Sequence, residues 1–446
     1  MSEAPAGSVF TIAPGLPFVD VLAEHLLRQA GGDPLRLAAT MVLLPNRRAC
    51  RALKDAFLRQ SGGQPLLLPR LRPLEPDADD LTELDLLAPE GLDLAPPIPP
   101  AERQLILTRL VLEMGAGRGG QPPSPDQAAR LARELGALLD SVLIEEVSFD
   151  RLDTLVPDDH ATHWQITIEF LKIVTTHWPA LLGGRIDHQD WINRTLDAQT
   201  ANWRRDPPEH LVVAAGSTGS RPATARLLAA IAGLPGGMVV LPGLDTRMDQ
   251  DSWEALEESH PQFALRQLLG RLGLSRRAVR ELSPRPDPRA ARTALLAEAL
   301  RPAATCEAWR HARQFPAALD GVGLIDAPGP REEAGAIALA LRQALEVDGQ
   351  TAALVTPDRD LARRVAAELE RWDIAIDDSA GRPLPLTEPG AFLRLLAQAV
   401  ADDFAPHATL ALGKHPLAAA GLDPARFRAL TRRLETAKIL RGPRPL

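Results

Sequence analysis

The chain of 446 residues contains no tyrosine and only two cysteines, Cys50 and Cys306. Two thiols do not make the four-ligand set of a structural zinc or iron–sulfur centre. Cys50 falls on the apolar stripe of an expected helix, so a buried, unreactive thiol is expected and a disulfide is not. Long apolar runs are also missing: no stretch approaches the ~20 residues needed to cross a bilayer. The opening residues, MSEAPAGS, carry no basic segment followed by an apolar one, so no secretory signal is read and a cytoplasmic location is expected. Positive charge is in deficit too. A net charge of −8 argues against coating nucleic acid by bulk charge, but it leaves room for a local basic groove.

What is present is the composition of an ordinary globular protein, with enough length for two or three domains. Residues 1–74 alternate strand, helix, strand, helix. The first helix carries Phe18, Leu22 and Leu26 on one face and stops at Gly31-Gly32. A second strand, MVLL, precedes Asn46, a helix cap, and a helix with Cys50, Leu53 and Phe57 on one side. An acidic, proline-rich linker from residue 75 leads into a helical insertion that runs to residue 207. Alternation resumes over 208–262 with HLVVAAG, RPATARLLAAIAGL and GMVVLPG. Residues 263–320 read as a helical, arginine-rich connector, and 321–446 as a second β/α lobe with strands in VGLIDAP, TAALVTP and DIAID. The expected architecture is α/β, with two mostly parallel-sheet lobes and an all-helical insertion in the first.

The first strand, VFTI, runs into the loop Pro14-Gly15-Leu16-Pro17 and then a helix opening with Phe18 and Val19. A phosphate-binding loop in this place needs inward backbone N–H groups, a lysine for the outer phosphates and a hydroxyl for magnesium. Only Gly15 meets that pattern. Pro17 stands where a second glycine belongs and removes a donor. Phe18 replaces the lysine, and Val19 the hydroxyl. The strand LVVAA ends in Ala214, Ala215 and Gly216, where an ATPase of this build carries metal-binding carboxylates. A plain β/α turn and a decayed nucleotide site are both compatible with these residues, and both predict no ATP turnover.

A second loop, Gly216-Ser217-Thr218-Gly219-Ser220, precedes a helix and is a candidate anion site; capping by Ser220 with Pro222 just inside the helix is the preferred explanation. An enzyme that binds a nucleotide or small molecule at this loop is the alternative reading of the whole chain. Arg47, Arg48, Arg51 and Lys54 cluster on the helix after the second strand, at the edge where α/β sheets bind ligands, and are candidate contacts to a nucleic-acid backbone. Arg276, Arg277, Arg280, Arg285, Arg289 and Arg292 read as a solvated basic run. His160 and His163 lack a third ligand in register, Trp164, Trp178, Trp191 and Trp203 read as packing residues, and Asp377-Asp378-Ser379 as a turn. No catalytic constellation and no metal site is expected.

Several stretches taken together resemble the AddB family of double-strand break repair proteins, in its alphaproteobacterial form: AAGSTGSRPATARLL, VVLPGLD, APGPREEAGAIALALR, AALVTPDRDLARRVAAELERW, IDDSAGRPL and LGKHPLAAAGL. The resemblance implies two RecA-like lobes of superfamily-one helicase type. It makes Arg47 and Arg48 contacts to single-stranded DNA and implies an inactivated nucleotide site at Phe18, Val19 and Ala215. It also implies a heterodimer with an AddA-type helicase-nuclease, acting on single- and double-stranded DNA to resect broken ends for recombination. The family's RecB-like nuclease domain, with its metal and its iron–sulfur cluster, is expected beyond Leu446, with the second lobe incomplete.

Overall fold

The computed structural model describes residues 8–74, 89, 92–116, 123–147, 178, 180–311 and 314–437. It divides into two compact units, Met1–Gly321 and Val322–Leu446.

The first unit is built on a six-stranded sheet: β1 (Val9–Ile12), β2 (Met41–Leu44), β3 (Arg70–Pro73), β4 (Val212–Ala215), β5 (Gly237–Pro242) and β6 (Arg280–Glu281). Its spatial order is β3-β2-β4-β5-β1-β6, and every pairing is parallel. The four inner strands, β1, β2, β4 and β5, are short and almost wholly apolar, which suits a sheet covered on both faces, and the charged residues fall on the edge strands β3 and β6. Side-chain alternation divides them: Val212 and Ala214 face one layer, Val213 and Ala215 the other.

The second layer holds α1 (Phe18–Ala30) and α3 (Arg47–Gln60), with α2 (Pro34–Ala39) between them in the chain. Leu22, Leu26, Leu53 and Phe57 are buried there against Ile12, Leu44 and Val240. Each such side chain contributes about 1.5–3 kcal/mol of burial. Gly31 ends α1 in the left-handed conformation, and the Asn46 side chain accepts from the Ala49 N–H to start α3, as the sequence pattern predicts. Cys50 is buried in this layer, and both cysteines are free thiols.

The two segments read as amphipathic helices form α4 (Pro100–Ala116) and α5 (Pro125–Glu145), which pack together with Trp178. The next helix, α6 (His188–Arg205), belongs to the sheet. Its Trp191, Leu196 and Trp203 join β4, β5 and α7 (Pro222–Gly233) in the first core layer. α8 (Gln250–Glu254) and α9 (Phe263–Leu272) complete that face. All three of these tryptophans are buried packing residues; His160, His163, Trp164 and His177 lie outside the described residues.

The arginine-rich stretch differs from the expected helical connector. Arg280 and Glu281 add β6 to the edge of β1, and α10 (Ala290–Ala299) follows. A strand of two residues is too short to leave a period in the sequence. The arginines there are largely structural. Arg276 lies 4.4 Å over Trp253 and donates to the Asp245 and Met248 carbonyls. Arg280 lies over Phe10, Arg285 pairs with Glu24, and Arg292 donates to the Ala318 and Asp320 carbonyls.

The second unit departs further from expectation. It contains α11 (Pro330–Leu345), α12 (Arg359–Glu370), α13 (Glu388–Ala401), α14 (Pro406–Gly413) and α15 (Pro424–Ala437). α11 and α12 pack through Ala334, Ala338, Val365 and Leu369, with Leu354 and Ile374 against them. VGLIDAP, TAALVTP and DIAID, read as strands, form no ladder, and no second sheet exists among the described residues. Leu324 is 96% exposed and Val355 94%. Apolar alternation identifies residues able to be strands, but a strand exists only with a hydrogen-bonded neighbour.

Candidate functional site

Because all six strands run the same way, the loops after them share one edge of the sheet, the edge at which open α/β sheets bind ligands. The loop after β1, residues 13–17, sits there and turns tightly through the Leu16 N–H bond to the Ala13 carbonyl. It abuts the loop after β5, where a methyl group on Gly243 would lie 3.2 Å from the Pro14 ring. Thr11 ties the two strands below. Its hydroxyl donates to the Leu241 carbonyl and accepts from the Leu244 N–H.

Two apolar side chains follow the loop directly. Phe18 and Val19, at the start of α1, pack against the second core layer. The Phe18 ring reaches toward the end of β4, where a methyl on Gly216 would lie 3.4 Å from its Cε1. An aromatic ring therefore stands against the end of β4. On the other side of the loop lies Asp287. A methyl on Gly15 would fall 1.8 Å from the Asp287 carboxylate oxygen Oδ1. Gly15 is thus required here by an internal carboxylate resting on its Cα. That carboxylate is held in place: Oδ1 accepts from the Arg289 N–H and Oδ2 from the Thr293 hydroxyl, each at 2.8 Å. Sequence reasoning found the loop but missed Asp287. Its signal was Pro-Asp-Pro just before a helix, a start pattern.

The second loop is also packed. Gly216 and Gly219 have φ of 80° and 61°, and a methyl on Gly219 would meet Leu268 at 3.0 Å and Leu228 at 3.2 Å. The Ser217 hydroxyl accepts from the Gly219 N–H. The cap of α7 is Arg221, with no side-chain cap bond, in place of the expected Ser220; Pro222 is at the first turn as anticipated. The Arg221 side chain is buried and donates to Gln189 on α6.

α3 leaves the same edge of the sheet, from the end of β2. Its buried stripe fixes which side chains face outward. Arg48, Arg51 and Lys54 are exposed, and Arg47 is half-buried. Among the described residues, Arg51 and Lys54 are in no ion pair. These cations and the filled loop occupy one rim.

Elsewhere the charged groups serve the fold. Arg103 bridges Asp140 at 3.0 Å and Asp187 at 2.8 Å, while Trp178 Nε1 donates to Asp187 at 2.6 Å. Burial raises the Asp140 carboxyl and lowers the neighbouring His188 imidazole. Arg226 joins Glu146, the C-cap residue just past α5, to Asp197 on α6. Asp378 pairs with Arg359 at 2.6 Å and accepts from the Ala380 N–H, the turn role expected for it. Among the described residues no group of three or more His, Cys, Asp or Glu side chains could hold a metal ion, and no helix is long and apolar enough to cross a membrane.

A comparison with protein-family models finds no match for this chain, and a comparison with curated proteins finds none either.

Proposed function

We propose that the chain is a DNA-guiding, partner-docking module of RecA-like, inactivated-helicase type, acting as the AddB-like subunit of a helicase-nuclease that resects double-strand breaks. The observation that carries this reading is the single rim at the strand ends. There a nucleotide-type loop is filled by Phe18 and Asp287, while Arg48, Arg51 and Lys54 stand exposed on the adjacent helix. The all-parallel sheet with one strand between β1 and β4 supports the RecA-like part, and the sequence resemblance supplies the repair role and the AddA-type partner. In this reading the module carries no nucleotide, nuclease metal or iron–sulfur cluster of its own. The partner provides the motor, and this chain provides a surface along which a strand passes.

The test is equilibrium binding of a tailed duplex across a salt series. Engagement of about three phosphates by α3 gives a log–log salt slope of about −2 on single-stranded DNA. Reversing Arg51 and Lys54 to glutamate flattens that slope by about 1.4 and weakens binding regardless of base sequence. Binding that is indifferent to salt, or unchanged in the double variant, rejects the reading.

A further inference from the structure

A cavity of about 300 Å³ opens beside the filled loop, between the ends of β1 and β5 and helix α10. It is independent of the basic helix α3 and of the DNA reading. Its walls are mostly apolar: Pro14, Leu244, Met248, Leu296 and Leu300 line it. Concave, largely apolar sites with a few placed polar groups, at the strand ends of an open α/β sheet, are where such folds take small ligands.

The polar groups decide the class of ligand. The half-buried Asp245 and Asp287 and the exposed Glu281 line the cavity, against one guanidinium, that of the exposed Arg247; Asp245 Oδ1 already accepts from the Arg247 and Met248 N–H groups, which leaves Asp287 as the main counter-ion. His260 adds no positive charge. Its Nδ1 accepts from the Gln262 N–H at 3.0 Å, and burial lowers its pKa. Asp287 is pinned at both oxygens by its own segment, yet each oxygen keeps a second lone pair for another donor. A fixed carboxylate in a small apolar cavity attracts a cation strongly and repels phosphate for the same reason.

We propose that this cavity binds a cationic group carried on an apolar body, an ammonium, amidinium or guanidinium joined to a hydrocarbon or ring, with Asp287 as its counter-ion. The cation comes either from a free small amine or from a lysine or arginine of a polypeptide segment, and the two sources share this chemistry.

The experiment is calorimetric titration of the full chain with benzamidine and with benzamide, its near-isosteric neutral counterpart. Benzamidine is expected to saturate near a millimolar Kd, about what so small a ligand can reach, with benzamide about tenfold weaker or more. Asp287→Asn is expected to reduce benzamidine to the level of benzamide. Leu296→Trp, at an exposed wall position that leaves the core untouched, is expected to abolish binding of both. A capped Leu-Arg-Leu peptide binding about tenfold tighter than benzamidine assigns the cation to a polypeptide; weaker binding assigns it to a free amine. Equal affinity for benzamidine and benzamide, no saturable benzamidine binding, or tighter binding of AMP in competition overturns the proposal.

Discussion

Gly15→Ala isolates the contact on which the filled loop depends. The backbone at residue 15 is not left-handed, so alanine costs nothing there in conformation. The whole effect must come from the methyl, which would meet Asp287 Oδ1 at 1.8 Å and Arg289 Cβ at 3.2 Å. Overpacking of this kind costs about 1–3 kcal/mol. The carboxylate can escape that overlap only by giving up its bonds to the Arg289 N–H and the Thr293 hydroxyl, each worth about 1 kcal/mol, and that route sets the cost. We expect a loss of about 2 kcal/mol, seen as a Tm lower by about 3–5 °C. Asp287→Ala alone loses about 1 kcal/mol, since the freed donors reach water. The double variant is expected to cost about the same as Asp287→Ala, because the methyl then has room, giving a favourable coupling of about 2 kcal/mol. Unfolding followed by tryptophan fluorescence reads the first unit almost alone, since every tryptophan but Trp372 precedes residue 321. Additive single variants, or a Gly15→Ala protein as stable as the parent, refute the carboxylate contact.

Phe57→Ala, at a fully buried ring under the sheet, is expected to cost about 3–5 kcal/mol in chemical denaturation, against less than about 0.5 for Arg51→Ala at an exposed position. His25, His188, His210 and His260 all have pKa values lowered, chiefly by burial. The unfolded chain therefore binds more protons, and stability present above about pH 6.5 is lost as pH falls below it; a Tm series from pH 7.5 to 5 should decline. Asp378→Asn removes the charge facing Arg359 on an exposed turn and is expected to change Tm by about 1 °C or less.

Strand–helix order in the first unit is legible because each buried side chain repeats at the period of its element. MVLL followed by Asn46 and the Cys50, Leu53, Phe57 stripe gives strand, cap and helix without ambiguity. The second unit shows the limit of that logic. TAALVTP has the same local pattern, but pairing is a property of two segments, and Val355 ends up exposed without a ladder. The candidate site was half legible. The departures of Pro17, Phe18 and Val19 from a phosphate-loop pattern are visible in one dozen residues, whereas Asp287 reaches Gly15 from the far side of the chain through β6, a strand too brief to announce itself. The arginine run misled in a similar way: its members look solvated by composition, and several stack on rings or hold carbonyls.

In the proposed function the Phe18 ring and the Asp287 carboxylate exclude a nucleotide's phosphates from the loop. Equilibrium dialysis of the purified chain against magnesium and labelled ATP, with tailed DNA present, tests it most directly. The account predicts no saturable binding at millimolar nucleotide. Stoichiometric ATP binding that disappears in Gly15→Val contradicts it.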